Sequence, residues 1–316
     1  MTFIIKYDRM KYHIIREDST MNEKLEKFNF GNDLENYDEI FENIADKINE
    51  AVNIILYNKH FITIDDFKVY HYDEYMLNTN NDIYAPINFY VCLNNKLNIK
   101  RISTKYNNTV APSLHYELHN FREELYNVLI ELFDERFMLT KDKYGIKISS
   151  NEYCKKFNMV GINYYIRPCI AYKNENNVEG VLFYTNNRKY IDIDYPTLAM
   201  DNFISKDERT NYLLSTYIKI FKNMYMKYYK VEDTPFEMFE VLFYNVPDEY
   251  YKDISFDTAK GILEYLINKE LITLKTIDEQ DYQFNSKYKS LSKLYAQRLI
   301  RTMYKLVCNP DHKIFR

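Results

Sequence analysis

The sequence is poor in the residues that most often announce a chemistry. Its 316 residues include no tryptophan, 5 glycines and 7 prolines. A Walker-type loop needs glycine wherever backbone N–H groups must close on phosphate, and none is present. The four cysteines, Cys92, Cys154, Cys169 and Cys308, are scattered without a CxxC pair. That argues against structural zinc and a disulfide framework, and makes a reducing compartment the default. No window approaches 18 uncharged apolar residues, so no membrane-spanning helix is expected. The N-terminal stretch MTFIIKYDRMKYHIIRED breaks each apolar run with charge and lacks a small-residue cleavage site, so no signal peptide is expected. Neither sign of charge dominates, with 42 basic and 46 acidic residues and a net charge of −4. A globally basic, nucleic-acid-coating protein is therefore excluded, although a local basic face is not. A soluble cytoplasmic protein is expected.

What the sequence has instead is ring surface: 33 tyrosines and 20 phenylalanines, 17% aromatic. That content argues for a packed core and against disorder. The bias toward Tyr, Asn, Ile and Lys is that of an AT-rich coding sequence, pointing to a phage, virus, plasmid or low-GC host.

Along the chain, Phe3–Tyr7 and Lys11–Ile15 read as two short strands or an arm. Asn32 or Asp33 caps a helix whose apolar positions Leu34, Tyr37, Phe41, Ile44, Ile48, Val52 and Ile55 keep helical spacing. Strands follow at Phe67–Tyr70 and Ile87–Leu93, then a helix over about 115–134 and strands at Ile146–Ser149, Ile162–Ala171 and Val181–Tyr184. From about residue 206 only helices are predicted, one of them ended by Asn245-Val246-Pro247. The reading is α+β: a lobe over 1–205 with a mixed sheet of about five strands, then a helical lobe over 206–316.

Several strings in this order resemble the bacterial nucleotidyltransferases of the polymerase-β superfamily, in the branch related to cyclic-dinucleotide and oligoadenylate synthases. IDIDYPTLAMDNFISKDERTNYLLSTYIKIFKNM is similar to that family's Ile-x-x-Tyr-Pro segment, followed by an Asn, a Lys, a Thr and a helix with Arg/Lys-x-x-Lys. FEMFEVLFYNVPDEYY is similar to its Ile-Glu-x-Leu-x-Tyr-Asn-Val-Pro segment. The resemblance spans roughly residues 34–307 and implies a polymerase-β-like core with a helical C-terminal lobe.

It also implies where catalytic groups belong, and they are missing. Asp73-Glu74-Tyr75-Met76-Leu77-Asn78-Thr79 stands in the place of Gly-Ser-Tyr-x-x-Gly-Thr, keeping only the Tyr and the Thr. Pro86-Ile87-Asn88 stands where Asp-x-Asp belongs, and Tyr165 where the third Asp belongs. Nucleotidyl transfer uses two Mg²⁺ ions roughly 4 Å apart. Mg²⁺ needs hard, preferably anionic oxygens, which Pro86, Asn88 and Tyr165 do not supply. Asp73 and Glu74 would set negative charge against a triphosphate. Asp82, in Asp82-Ile83-Tyr84, is the displaced acid that an active enzyme could use; as a bland alternative, Asn80-Asn81-Asp82 is a solvated turn.

The strongest local charge is C-terminal. From Phe284 to Arg316 eight basic residues, among them Lys287, Lys289, Lys293, Arg298 and Arg301, face one acid, Asp311. Lys219, Lys222, Lys227 and Lys230 lie among tyrosines on the long helix, and the resemblance puts Lys219 and Lys222 near nucleotide phosphates. Lysines with stackable rings suit nucleotide or single-stranded RNA binding, while a solvated helix face over core tyrosines is the plainer alternative. His115, Glu117 and His119 form an HxExH pattern without a third metal ligand, better read as a helix start. His71 has no identifiable partner, and Cys92 and Cys169 read as small core residues.

The leading expectation is a catalytically degenerate nucleotidyltransferase-fold protein without a required cofactor. It would keep the cleft between its lobes for a nucleotide, an RNA such as tRNA, or a protein partner such as a toxin or enzyme. An immunity, inhibitor or regulatory role on a mobile element would suit it. The alternatives are an active Mg²⁺-dependent transferase with displaced carboxylates, acting on RNA or making a nucleotide signal, and a structural subunit of a transferase or polymerase complex.

Overall fold

The computed structural model describes residues 23–29, 37–59, 67–74, 77–79, 87–93, 112–135, 137–141, 145–150, 163–184, 191–230, 236–284 and 293–315. The expected strands Phe3–Tyr7 and Lys11–Ile15 and the cap at Asn32 or Asp33 lie outside these. The chain divides into two compact units. One comprises Met1–Asp8, Asp33–Met76 and Ile83–Thr197; the other comprises Arg9–Asn32, Leu77–Asp82 and Leu198–Arg316.

The first unit is built on a seven-stranded mixed sheet: β1 (Phe67–His71), β2 (Ile87–Leu93), β3 (Phe137–Lys141), β4 (Ile146–Ser150), β5 (Asn163–Lys173), β6 (Glu179–Tyr184) and β7 (Ile191–Asp194). The order is β1-β2-β5-β4-β3, with β6 joining β5 to β7. Only β2 and β5 are parallel; the other pairs are antiparallel. A parallel pair needs a long crossover, and the chain between these two strands contains the helix over Pro112–Leu132. That helix packs on the one over Tyr37–Lys59, burying Leu118, Phe121, Leu125 and Leu129 together with Ile44, Ile48, Val52 and Ile55. Phe67 meets Phe121 at 5.6 Å between ring centres, so one sheet face is covered by helix.

Residues two apart share a sheet face. The other face therefore gathers Tyr70, Tyr90, Cys92, Cys169, Val181 and Phe183 into a second small core. Cys92 and Cys169, register partners across β2 and β5, are buried there as the sequence suggested. A side chain at Gly180 would put Cβ 2.7 Å from the Tyr195 ring and 2.8 Å from the Asp194 carbonyl oxygen, so the missing Cβ lets β7 close on β6.

The second unit is helical. With the helices of the first unit as α2 (Tyr37–Lys59) and α3 (Pro112–Leu132), it carries α1 (Glu23–Glu26), α4 (Pro196–Arg209, which begins as the sheet unit ends), α5 (Leu213–Tyr229), α6 (Phe236–Tyr244), α7 (Phe256–Asn268) and α8 (Lys293–Val307). α5 is its axis, burying Leu214, Tyr217, Ile218, Phe221 and Met224 at the helical spacing expected of a core helix. The Tyr217 hydroxyl donates to the Asp253 carbonyl at 2.6 Å and accepts from the Ser255 N–H at 3.1 Å. Ser255 in turn caps α7, accepting the Thr258 N–H at 3.1 Å. Among the described residues no helix is long and apolar enough to cross a membrane.

The expected α+β architecture, a nucleotidyltransferase-like core followed by a helical part, is what forms. Three elements depart from expectation. The sheet has β3 and β7 in addition to the five strands read from the sequence, and helix begins at Pro196 rather than near residue 206.

Candidate functional site

The segment that the resemblance sets against Gly-Ser-Tyr-x-x-Gly-Thr is divided between the two units, its first part in one and Leu77–Asp82 in the other. In the first unit β1 ends at His71, whose Nε2 lies 2.5 Å from Asp73 Oδ2. Both side chains are buried, and the imidazole stacks on Phe89 at 5.5 Å. The same Asp73 oxygen accepts the backbone N–H of Asn88 at 3.1 Å. Asp73 therefore ties the end of β1 to the start of β2. His71 is thus the strand-end residue that the sequence suggested, although a buried one. Asp73 is buried and engages His71, a partner that the sequence did not identify. Glu74 is half-buried beside them, while Asp82 and Pro86 lie outside the described residues.

Beyond that loop, register assembles the sheet face. Asn88 is paired with Tyr165 across the parallel β2–β5 ladder, and the next same-face pair is Tyr90 with Arg167. The Arg167 Nη1 donates to the Tyr90 hydroxyl at 3.0 Å and lies 3.5 Å from Asp194 Oδ2. The Tyr90 hydroxyl donates to that same carboxylate at 2.8 Å. The guanidinium also lies 5.3 Å from the ring centre of Tyr165, 5.4 Å from Tyr90 and 5.5 Å from Phe183. Here a fixed cation, caged by rings and one acid, shares a sheet face with Asn88 and Tyr165. Arg167 and Asp194 were missed in the sequence because three strands, not spacing, bring them together.

Among the described residues no group of three or more His, Cys, Asp and Glu side chains is placed to hold a metal ion. The HxExH pattern falls on α3, with His119 half-buried and the side chains of His115 and Glu117 outside the description.

In the helical unit the second half of the loop is held from α5. Asn78 stands at the resemblance's second glycine and adopts φ 51°, a left-handed conformation that Asn tolerates better than most residues. Its Oδ1 accepts from Lys219 Nζ at 3.4 Å. Lys222 is 0% exposed; its ammonium donates to the Thr79 carbonyl at 3.2 Å and pairs with Glu240 at 3.3 Å. Glu240 also accepts from the Thr79 hydroxyl at 2.6 Å. The two lysines expected near phosphates thus hold the loop in this structure, Lys222 from a fully buried position.

The residues that carry the helical resemblance knit the same unit. Asn202 Nδ2 donates to the Ile277 carbonyl at 2.9 Å, and Lys206 Nζ to the Val246 carbonyl at 2.7 Å. Lys206 also pairs with Asp248 at 2.8 Å. Asn245 donates to the Lys275 carbonyl and accepts the Lys275 N–H, each at 2.9 Å. Asp207 accepts the Ser215 N–H at 2.9 Å, bridging a turn in which Asn211 and Tyr212 both have positive φ. Burial pushes the Asp207 carboxyl up to about 6, against the hydrogen bond from Ser215 and the charge of Lys219.

Of the C-terminal basic residues, Lys287 and Lys289 lie outside the description. Lys293, Arg298, Arg301 and Lys305 are exposed on α8, which contains no acid. Tyr228, Tyr229 and Tyr295 are 40%, 43% and 38% exposed. Tyr229 donates to Thr302 at 3.3 Å, and the Tyr225 and Tyr295 hydroxyls share a short hydrogen bond, which sets Tyr225 and Tyr229 of α5 against α8.

Comparison with known proteins agrees with this architecture. Residues 201–307 match the cGAS/DncV-like nucleotidyltransferase C-terminal helical domain. The chain is 27% identical over 151 residues to a cyclic UMP-AMP synthase of Rhodothermus marinus, covering 46% of this chain and 52% of that protein. It is 26% identical over 166 residues to the cyclic GMP-AMP synthase CdnE03 of Staphylococcus schleiferi, covering 48% of each. The match therefore spans about half the length of these curated relatives. In three dimensions the R. marinus CdnE c-UMP-AMP synthase superposes with a TM-score of 0.68 at 19% identity, over 91% of this chain and 96% of that one. A CdnE cyclic dinucleotide synthase of Elizabethkingia meningoseptica gives 0.66 at 15% identity, over 92% and 99%. The chain has a nucleotidyltransferase fold similar to that of these cyclic-dinucleotide synthases, and its residues 201–307 match the C-terminal helical domain of cGAS/DncV-like nucleotidyltransferases.

Proposed function

We propose that this protein binds a nucleoside triphosphate on the nucleotidyltransferase fold and does not carry out the metal-dependent transfer. The observation that carries this reading is the pairing of Asn88 with Tyr165 on the sheet face, with Arg167 as the next residue on that face of β5. Two-metal transfer needs several anionic oxygens converging on one point. Asn88 brings a neutral carbonyl oxygen, Tyr165 a phenol and Arg167 a positive charge. Asp194, an acid on this face, is engaged by Tyr90 and Arg167. This donor set does not fit a pair of Mg²⁺ ions.

The test is direct. The purified protein is incubated with each α-labelled NTP, alone and in pairs, with Mg²⁺ or Mn²⁺, and the products are separated; binding is measured in parallel. Retention of NTP with no new labelled nucleotide or RNA product is expected. Metal-dependent product formation that disappears in Asp82→Ala or Asp194→Asn would overturn the reading and establish the displaced-carboxylate enzyme.

A second property is favoured by α8. Its acid-free exposed face and the exposed Tyr229 and Tyr295 combine phosphate-binding charge with stacking surface, the pairing that holds single-stranded RNA. On this reading an RNA such as tRNA is a partner, and filter retention of labelled tRNA at rising salt measures it.

A further inference from the structure

We infer that the turn joining α4 to α5 is a proton-operated latch. A proton on the buried Asp207 closes it, ionisation loosens it, and α5 carries the change to the Asn78–Thr79 loop.

α5 begins without a cap of its own. Its N-cap residue, Tyr212, has φ 62° and makes no side-chain cap hydrogen bond, and Asn211 before it has φ 51°. Two successive residues in the left-handed region are strained, and persist only where their surroundings over-determine them. Those surroundings come from α4. The Tyr212 N–H donates to the Asp207 carbonyl at 2.7 Å, and the Ser215 N–H to Asp207 Oδ1 at 2.9 Å. Thr210 closes the same turn, its hydroxyl donating to the Asp207 carbonyl at 3.0 Å and accepting the Leu214 N–H at 3.3 Å. Asp207 thus does from across the turn what an N-cap side chain does at the helix start.

This cap is buried, with Asp207 only 2% exposed. Burial disfavours its charge, while the Ser215 hydrogen bond and the positive end of α5 favour it. The groups that act on it are Lys219 of α5, which favours ionisation, and Glu208 of α4, which opposes it; Tyr251 lies within reach of its charge. Burial wins, and the carboxyl is pushed up to about 6. At neutral pH the closed turn therefore holds a buried negative charge, which water can reach only if the turn opens.

Helical spacing extends the effect. Ser215, Lys219 and Lys222 stand at i, i+4 and i+7 and share one face of α5. Lys219 donates to Asn78 Oδ1 at 3.4 Å, and Lys222 to the Thr79 carbonyl at 3.2 Å. A first turn that loosens moves the base of the face from which both lysines hold the loop. The latch operates with or without a nucleotide.

Amide hydrogen exchange of the full chain at pH 5, 6 and 7.5 tests this, each rate being divided by its intrinsic value. The closed form keeps its proton up to about pH 6, whereas a solvated Asp207 releases it near 3.8, so opening grows as pH rises. Peptides over residues 210–216 and 77–79 should open about tenfold more at pH 7.5 than at pH 5. The first turn of α7, which Ser255 caps through the Thr258 N–H, is the internal reference and should stay level. Asp207→Asn cannot ionise and should stay closed across the range; the wild-type comparison stands without it. A level response at 210–216, or an equal rise in Asp207→Asn, would overturn the latch. An equal rise at Thr258 would also overturn it, since the whole helical unit would then be loosening. A rise confined to 210–216 would overturn the link to the loop.

Discussion

Glu240 on α6 accepts from two donors at once, the Thr79 hydroxyl at 2.6 Å and the fully buried Lys222 ammonium at 3.3 Å. A buried charge is tolerable only with its partner, so the pair is worth less than the cost of breaking it from one side. Glu240→Ala should lower stability by about 3–5 kcal/mol. The double variant Lys222→Met, Glu240→Leu, which removes both charges and keeps the volume, should recover most of that. Thr79→Val should cost only about 1 kcal/mol, the ordinary worth of one hydrogen bond. Urea denaturation of the four proteins measures the ranking. Equal losses in the single and double variants would mean that packing rather than charge pairing dominates here.

Asp207 supplies a pH dependence whose sign is set by burial. Its folded carboxyl titrates at about 6, above the 3.8 of an exposed aspartate. The folded state therefore keeps its proton over a range where the unfolded chain has released it. This contribution is fully present below about 3.8 and is lost as pH rises through about 6, a loss of roughly 3 kcal/mol at 1.36 kcal/mol per unit. Asp207→Asn keeps an oxygen for the Ser215 N–H and cannot ionise. It should gain stability relative to wild type between pH 4 and pH 7, measured as the change in urea midpoint difference. A difference that stays flat with pH would show that Asp207 is not titrating in this window.

The legibility of these features follows their physics. β2 is evident as INFYVCL because all of its side chains but Asn88 are buried, which leaves a continuous apolar run. α5 is evident because Leu214, Tyr217, Phe221 and Met224 repeat at helical spacing. β3 is not: it pairs only with β4 and exposes Met138, Thr140 and Lys141, so no apolar pattern marks it. β7 is four residues, too short for any period to register. α4 begins at Pro196, the first-position proline that starts many helices, a start signal that the sequence does carry. The buried face of Lys222 could not be read from the sequence, because lysine is almost always exposed and its partner lies 18 residues away on another helix. Arg167 and Asp194 are joined through the registers of β5, β6 and β7, which no local spacing encodes.

Asp73 offers a separation between scaffold and chemistry. Its carboxylate serves His71 and the Asn88 N–H in a buried setting. Asp73→Ala removes the group that both the His71 ring and the Asn88 N–H contact, and should cost about 2–4 kcal/mol. Asp73→Asn retains one acceptor oxygen and should cost about half as much. Thermal melts order the two variants. Wild-type stability in Asp73→Ala would mean that the β1–β2 junction is held without this acid.

On the proposal that α8 holds RNA, the salt dependence of binding is a count of contacts. Arg298, Arg301 and Lys305 lie at i, i+3 and i+7, so they share one helix face and span about 10 Å along it. That length matches two or three phosphates of an extended single strand, and the neighbouring Tyr295 offers a ring for a base. On single strands each neutralised phosphate contributes about −0.7 to the slope of log K against log salt. Arg298→Ala and Arg301→Ala should each flatten the slope by about 0.7 and weaken binding to unrelated RNA sequences alike. Tyr295→Ala should weaken binding without changing the slope, because stacking releases no counterion. Retention of labelled tRNA between 50 and 300 mM salt, at about five concentrations, resolves these two effects. An unchanged slope in both arginine variants would place the RNA elsewhere and leave α8 a solvated face.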